Sequence, residues 1–491
     1  MTMTRLSRAS LERLPAGVRK PRYDPASVQA GIVHLGLGGF HRAHMARYTH
    51  ELIEADAASA RWGIVGAGLL PSDRKMIDSL GPQDALYTLI EREGDDENPA
   101  VIASLAEVVY ANASTALLDW IDRPEIAIVS LTITENGYCL DPATKRLNPD
   151  HPMVRADLTD PARPTSAIGV LVEALRRRRA AGRPAFTSLS CDNIQANGHV
   201  LRDAVLALAR LRDIELACWI ADQAAFPSTM VDRITPRTTD ADIAALERRY
   251  GLRDAWPVVS ERFTQWVIED SFPQGRPAWE RVGAQFVDDV APYEMMKLRL
   301  LNASHLAVSG LGRLAGYVTI DESMRDDRIA AVMRAMMDRE TGPTLPDIPG
   351  VDLDDYKATL IRRFSNHAIK DTVDRVNADA PLNVLLDPIR DRLSANAPLE
   401  CLALALAAWL YRVRGKDERG AAIEVRHPLA QELARLAAQG GPDPTPLLGL
   451  RPLFGDLGDD PRLTRPVGAW LRTLYLDGVQ ATLDVAKRKT A

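Results

Sequence analysis

The chain is 491 residues long, 46% apolar and 26% charged, an ordinary composition for a soluble globular protein that is too long for one core and suggests two or three domains. Its 60 basic and 66 acidic residues leave a net charge of −6, so no basic excess exists to neutralise phosphates and no nucleic-acid partner is expected. Cys139, Cys191, Cys218 and Cys401 are scattered, with no C-x-x-C pair and no companion histidine spacing; neither a zinc site nor a disulfide framework is expected, and a reducing compartment follows.

Residues 1–21 are basic and polar without the apolar stretch of a secretory signal. From Gly31 the pattern reads strand, tight turn, helix: Ile32-Val33-His34-Leu35 enters Gly36-Leu37-Gly38-Gly39, and residues 43–53 have helical spacing. A second strand is expected at 62–67. This is the opening βαβ unit of a dinucleotide-binding sheet, whose glycines let backbone amides approach a pyrophosphate at a helix N-terminus. Taken alone G-x-G is a weak signal, and position 41 is histidine where the usual fingerprint has Gly or Ala. Further strands are expected at 87–89, at 101–105 and at 126–134. The last is almost continuously apolar and β-branched, as a buried parallel strand should be, and Glu135 at its end is either a cofactor-side residue or a surface loop acid. A crossover helix over 167–181 leads to a short buried strand at 186–190, which ends at Cys191-Asp192-Asn193.

Beyond about Ala291 the texture becomes helical, with Pro292 marking the switch. The expected organisation is an α/β, Rossmann-like dinucleotide-binding region over 1–290 followed by a mostly α-helical region over 291–491. The longest apolar run, 401–411, is far short of the roughly 20 residues that span a bilayer, so a cytoplasmic protein with no membrane partner is expected. Residues 440–444, G-G-P-D-P, read as a surface loop, and helical patterns resume at Thr464.

The segment 294–305, E-M-M-K-L-R-L-L-N-A-S-H, has helical apolar spacing. At about 100° per residue with Lys297 at zero, Glu294 falls at about 60°, His305 at about 80° and Asn302 at about 140°. One face carries all four, while Met295, Leu298, Leu301 and Leu306 can pack. Such a face is either a solvated stripe with a snorkelling lysine or a built site. The chemistry of the second is plain: a desolvated lysine serves as a base, an asparagine amide donates to an alkoxide, and a histidine holds a hydroxyl.

Three segments taken together, Gly36-Leu37-Gly38-Gly39-Phe40-His41-Arg42-Ala43-His44, Met230-Val231-Asp232-Arg233-Ile234-Thr235-Pro236 and 297–305, resemble the mannitol dehydrogenase family of long-chain, zinc-independent polyol dehydrogenases. The likeness covers nearly the whole chain and extends to Ser190-Cys191-Asp192-Asn193, Arg276-Pro277-Ala278-Trp279-Glu280 and Arg363-Phe364-Ser365-Asn366. It implies reversible oxidation of a secondary alcohol with hydride passing to a nicotinamide, mannitol to fructose first. The alternatives it carries are fructuronate reduction to mannonate and oxidation of another polyol such as arabinitol. Lys297 corresponds to the general base, Asn193 and Asn302 to the pair holding the alkoxide, His305 to the residue orienting the reacting oxygen, and Glu294 to a glutamate gating proton exchange. Asp232 and Arg375 match contacts to the rest of the polyol, although Asp232 and Arg233 could instead form a structural ion pair. Gly36, Gly38, Gly39, Phe40 and His41 fall on the cofactor side; His41 and His44 are an H-x-x-H pair with no third ligand, and no metal is expected. Asp73, beyond the second strand, is the candidate for the ribose hydroxyls, so NAD is favoured, with NADP left open by the adjacent Arg74. The sequence departs from the family at Asn383, where many members carry a D-G-S-x-K-x-P segment, and at His367, where proline is common. Large two-domain members are often monomers, and a monomer is expected. A nucleotide sensor that kept the fold and lost catalysis is a further reading, disfavoured by the intact Lys297, Asn302 and His305.

Overall fold

Short aliphatic and β-branched runs buried on both faces build a five-stranded parallel sheet in the first of two compact units, Met1–Ala291; the second is Pro292–Ala491. The computed structural model describes residues 3–111 and 115–490, so the outer limits of the expected regions 1–290 and 291–491 lie outside the described residues. The sheet strands are β1 (Ala30–Leu35), β2 (Gly63–Gly68), β3 (Leu105–Tyr110), β4 (Ile128–Leu131) and β5 (Thr187–Ser190). They lie in the order β3-β2-β1-β4-β5, every neighbouring pair parallel. The chain runs outwards from β1 to β3 and then returns to the other side of β1. The loops after β1 and β4 therefore part at the switch point where such sheets bind ligands.

Period-two alternation divides the sheet between two cores. Val33, Leu35, Val65, Ala67, Val129 and Leu131 pack with residues of the helices Ala167–Ala180 and Asn197–Arg212 on one face. Ile32, Ile64, Ile128 and Leu189 pack on the other with Tyr48, Leu52, Trp266 and Trp279. This is the predicted α/β, Rossmann-type architecture.

Several element limits differ from those expected. Tyr87 opens a longer strand, Tyr87–Glu93, in a separate three-stranded sheet between Asp96–Ile102 and Val258–Glu261. Residues 101–105 are not one strand: Ile102 ends the strand Asp96–Ile102 and Leu105 opens β3. The apolar run is unbroken there because both strand ends are buried, and the chain changes sheet at Ala103-Ser104, where Ser104 Oγ donates to the Ala46 carbonyl at 2.6 Å. The run 126–134 is strand only over Ile128–Leu131; Thr134, at φ +60°, opens the short helical turn Thr134–Gly137. The helix expected at 43–53 is broken at His44 (φ −115°, ψ −94°) into α1 (Gly39–Ala43) and α2 (Met45–Ala55).

The second unit is helical. Among its described residues no strand occurs, only isolated bridges such as Thr319 with Thr372. The apolar run at 401–411 is the heart of the helix Glu400–Arg412, in which every residue from Cys401 to Arg412 is buried. A helix apolar on all sides belongs in a core, and no helix among the described residues is long and apolar enough to cross a membrane.

The turn after β1 needs its first glycine for a steric reason. Gly36 has φ +89°, and a Cβ there would lie 2.1 Å from the Thr132 carbonyl oxygen. A Cβ on Gly38 would meet nothing nearer than the Gly36 oxygen at 3.7 Å. Gly36→Ala should therefore cost about 2–4 kcal/mol in urea unfolding, and Gly38→Ala less than about 1 kcal/mol. Equal losses would contradict this account of the turn.

Candidate active site

In the first unit the glycine turn, Asp73, Glu135 and Asn193 follow the carboxyl ends of β1, β2, β4 and β5, whereas Asp232 ends a strand of another sheet. After β1, the amides of Gly36 and Leu37 both donate to the Ala67 carbonyl at the end of β2, at 2.9 and 3.1 Å. Thr132 Oγ1 donates to the Gly36 carbonyl at 2.9 Å. Space over Gly38 and Gly39 is open, the nearest atom to a Cβ on Gly39 being Thr235 Cγ2 at 3.8 Å, as a group laid against the backbone of this turn requires. Asp73 faces back into its own loop, one carboxylate oxygen accepting from the amides of Leu69 and Leu70, each at 2.9 Å. Its second oxygen lies 3.5 Å from Ser72 Oγ. Glu135, at the end of β4, is exposed and pairs with Lys145 at 2.8 Å.

The histidines divide between packing partners. His41 is buried and stacks on His34 with ring centroids 3.4 Å apart; burial first, then the neighbouring His34, Arg42 and His44, lower its pKa far below the ordinary value. His44 Nε2 donates to the Gln265 carbonyl at 2.9 Å, its ring stacks on Phe40, and burial lowers its pKa to about 3. The H-x-x-H pair thus faces two different neighbourhoods, and His41 lies in the packing behind the turn.

At the end of β5, Asp192 is buried and Asn193 is exposed. Buried Asn197 fixes this corner: its Nδ2 donates to the carbonyls of Asp192 and Thr229, both at 2.9 Å, and its Oδ1 accepts from the Thr229 amide at 2.9 Å. Thr229 opens the strand Thr229–Asp232, which ends on buried Asp232. Arg233 is engaged elsewhere, with Glu91 Oε1 and the Ala43 carbonyl at 2.5 Å and the Glu261 carbonyl at 2.8 Å. A structural ion pair is present, and its acid is Glu91.

In the second unit the helical segment 294–305 has a feature the sequence did not reveal. Ala291–Met296 is α-helical, Lys297–Asn302 is a π-helix with the Ala303 amide donating to the Leu298 carbonyl, and Ala303–Ala315 is α-helical again. Each π-helical residue turns the chain by roughly 80° instead of 100°. With Lys297 at zero, Asn302 then moves from about 140° to about 40° and His305 comes back to within about 20° of Lys297, with Glu294 still at about 60°. The four polar groups share a much narrower arc than an α-helix gives them. Glu294 and Lys297 are buried, and Asn302 and His305 are partly so.

His305 stacks on Phe364 with centroids 5.0 Å apart, and its Nε2 lies 3.3 Å from Asp371 Oδ2. Arg375 grips the same carboxylate with two bonds of 2.6 and 2.5 Å. Burial would raise the Asp371 carboxyl, but the adjacent His305 and Arg375 outweigh it and hold the pKa at about 2. Neither Asp371 nor Asp192 was legible as a site residue, since an acid in a loop has no sequence period. The only cue was position: Asp371 stands four residues before Arg375, and Asp192 next to Asn193.

The profile of the mannitol dehydrogenase Rossmann domain matches residues 30–281, and that of the mannitol dehydrogenase C-terminal domain matches residues 289–475. Mannitol 2-dehydrogenase of Aspergillus fumigatus (strain CBS 144.89) is 42% identical over 98% of this chain and 99% of its own length. D-mannonate oxidoreductase of Escherichia coli (strain K12) is also 42% identical, over 92% of this chain and 94% of its own. The solved structure of Pseudomonas fluorescens mannitol 2-dehydrogenase, a ternary complex with NAD and D-mannitol, is similar with a TM-score of 0.87 at 42% identity, covering 99% of this chain and all of that one.

Because the folded Asp371 pKa lies below its unfolded value, its ionised form stabilises the fold above about pH 4, and this is lost as pH falls towards 2. Asp371→Asn should lower stability at pH 7 by roughly 2 kcal/mol and flatten the acid limb between about pH 4 and pH 2. Urea midpoints measured across that range check the sign; an unchanged acid limb would contradict it.

Proposed function

The chain belongs to the mannitol dehydrogenase family of polyol oxidoreductases, and on that premise we propose that it oxidises a sugar alcohol to a ketose reversibly with NAD, D-mannitol to D-fructose first, using Lys297 as general base and no metal ion. The observation that carries this reading is the π-helical turn Lys297–Asn302, which turns a base and an amide donor onto one arc beside His305. Mannitol 2-dehydrogenase relatives at 42% identity and the glycine turn after β1 support the substrate and the nicotinamide.

The turn Gly36, Gly38, Gly39 with Phe40 would take the cofactor's phosphates, and Asp73 and Glu135 would face its sugar and nicotinamide ends. When bound, NAD supplies the hydride acceptor. Lys297 takes the hydroxyl proton as the C–H bond is cleaved. A base must arrive unprotonated, and withdrawing an amine from bulk water is the general way to achieve that. Asn193 and Asn302 donate amide N–H groups to the developing alkoxide, contributing about 3 kcal/mol each to the transition state. His305 orients the reacting hydroxyl, Asp371 sets His305 and Arg375, and Glu294 relays the proton outward. Asp232 and Arg375 contact the remaining hydroxyls.

The second reading, fructuronate reduction to mannonate, draws on the E. coli D-mannonate oxidoreductase at equal identity. A panel of mannitol, sorbitol, arabinitol, xylitol and mannonate with both nicotinamides, followed at the NADH absorbance, separates the two; activity with mannonate and none with mannitol would reverse the order. Lys297→Ala should lower kcat roughly 10³-fold, and near-normal turnover would remove the lysine from the mechanism. Dialysis against EDTA should leave kcat unchanged; a loss restored by zinc would overturn the metal-free step.

A further inference from the structure

One buried carboxylate ties the ends of β4 and β5 together. Asp192 Oδ1 accepts from the Thr134 amide at 2.8 Å, and Oδ2 accepts from the Ile133 amide at 3.1 Å and from the Tyr138 hydroxyl at 2.9 Å. Tyr138 Oη lies 2.6 Å from Ser190 Oγ, which also accepts from the Asp192 amide at 3.3 Å. Asp192 is 6% exposed, and burial, opposed by those three donors, pushes its carboxyl upward. Every group aimed at the side chain is therefore a donor, and an ionised carboxylate is the side chain that only accepts.

Two further facts give this knot a consequence. Thr134 has φ +60°, a conformation that a β-branched residue keeps only where its surroundings impose it, and the bond from its own amide to Asp192 is the constraint at hand. The residues that follow the two ends of the knot are Glu135 on one side and Asn193 on the other.

We propose that Asp192 is a positioning residue that couples the cofactor-side turn Thr134–Glu135 to the alkoxide donor Asn193, so that both are held in one register. This rests on the reading of Asn193 and of the nicotinamide site given above. Asparagine at 192 keeps the size but turns an NH2 group towards backbone N–H groups, removing one acceptor and opposing donor to donor. The turn is then no longer held at positive φ, and Asn193 loses its fixed neighbour.

The test is steady-state kinetics and thermal unfolding of the full-length Asp192→Asn, Asn193→Ala and double variants, together with Asp192→Asn/Thr134→Gly. Asp192→Asn should lower kcat about 30-fold and raise the nicotinamide KM about tenfold. In the Asn193→Ala background its effect on kcat should vanish, because one variant acts through the other. Glycine at 134 adopts positive φ unaided and should recover most of the nicotinamide KM. Fully multiplicative kcat losses, or a lowered Tm with unaltered kcat and KM, would overturn the proposal. If Asp192→Asn fails to fold, Tyr138→Phe carries the test: it removes one of three donors and should raise the nicotinamide KM about threefold, and an unchanged KM would overturn the proposal. Near wild-type kcat in Asn193→Ala alone would instead remove Asn193 from the chemistry, which is failure of the parent reading.

Discussion

Two side chains five residues apart on an α-helix point about 140° away from each other, and the base and amide donor proposed at Lys297 and Asn302 could not meet one hydroxyl group from such positions. The wider winding over Lys297–Asn302 resolves that conflict. Wider turns lose backbone geometry and axial packing, so they persist where neighbours hold them. Here the next helix is anchored in the core, with Ala303, Leu306, Ala307, Val308 and Leu311 all buried. On the turn itself Arg299 donates to the Thr344 carbonyl at 2.6 Å and pairs with Asp391. The winding is thus held by contacts of the next helix and of Arg299, beside those that His305 makes with Phe364 and Asp371.

The strand ends of the first unit follow the same logic with hydrogen bonds in place of winding. The single Thr132 hydroxyl proton goes to the Gly36 carbonyl, so the 2.9 Å contact between Thr132 Oγ1 and His34 Nε2 has the ring donating. His34 Nδ1 is then the acceptor for the Ser130 hydroxyl at 2.8 Å. Burial, which lowers the His34 pKa to about 3, keeps that one neutral tautomer across the working pH range. The result is a one-directional chain from Ser130 through His34 and Thr132 to the Gly36 carbonyl. It holds the glycine turn from behind and leaves its outer side open.

Much of this was legible. β1, its glycine turn and the buried β4 carry period, composition and turn chemistry together, and the polar set Glu294, Lys297, Asn302 and His305 stood out against an apolar helix. The misses have specific causes. Residues 101–105 look like a strand because burial, which apolarity reports, does not stop where the chain passes from one sheet to the next. The π-helical turn leaves no mark in a residue pattern, because Leu298, Leu300 and Leu301 satisfy either winding. Asp192 and Asp371 were invisible because what makes them matter is the set of donors converging on each, and those come from residues brought together only by the fold.

Asp371 also bears on what kind of molecule the second unit favours. Its carboxyl stays ionised down to about pH 2, and its partners His305 and Arg375 are the residues to which the proposed mechanism gives the substrate's hydroxyl groups. A guanidinium held along one edge, through Nε and Nη2, by both oxygens of a carboxylate keeps hydrogen-bond donors but little net charge. Hydroxyl groups are suited to such a partner. A substrate carboxylate would approach Arg375 against the field of Asp371 and would need a further cation, a requirement made sharper by the absence of the family's lysine motif around Asn383. If Arg375 takes the substrate role proposed above, the same carboxylate that sets the histidine and the arginine favours a neutral polyol over an aldonate.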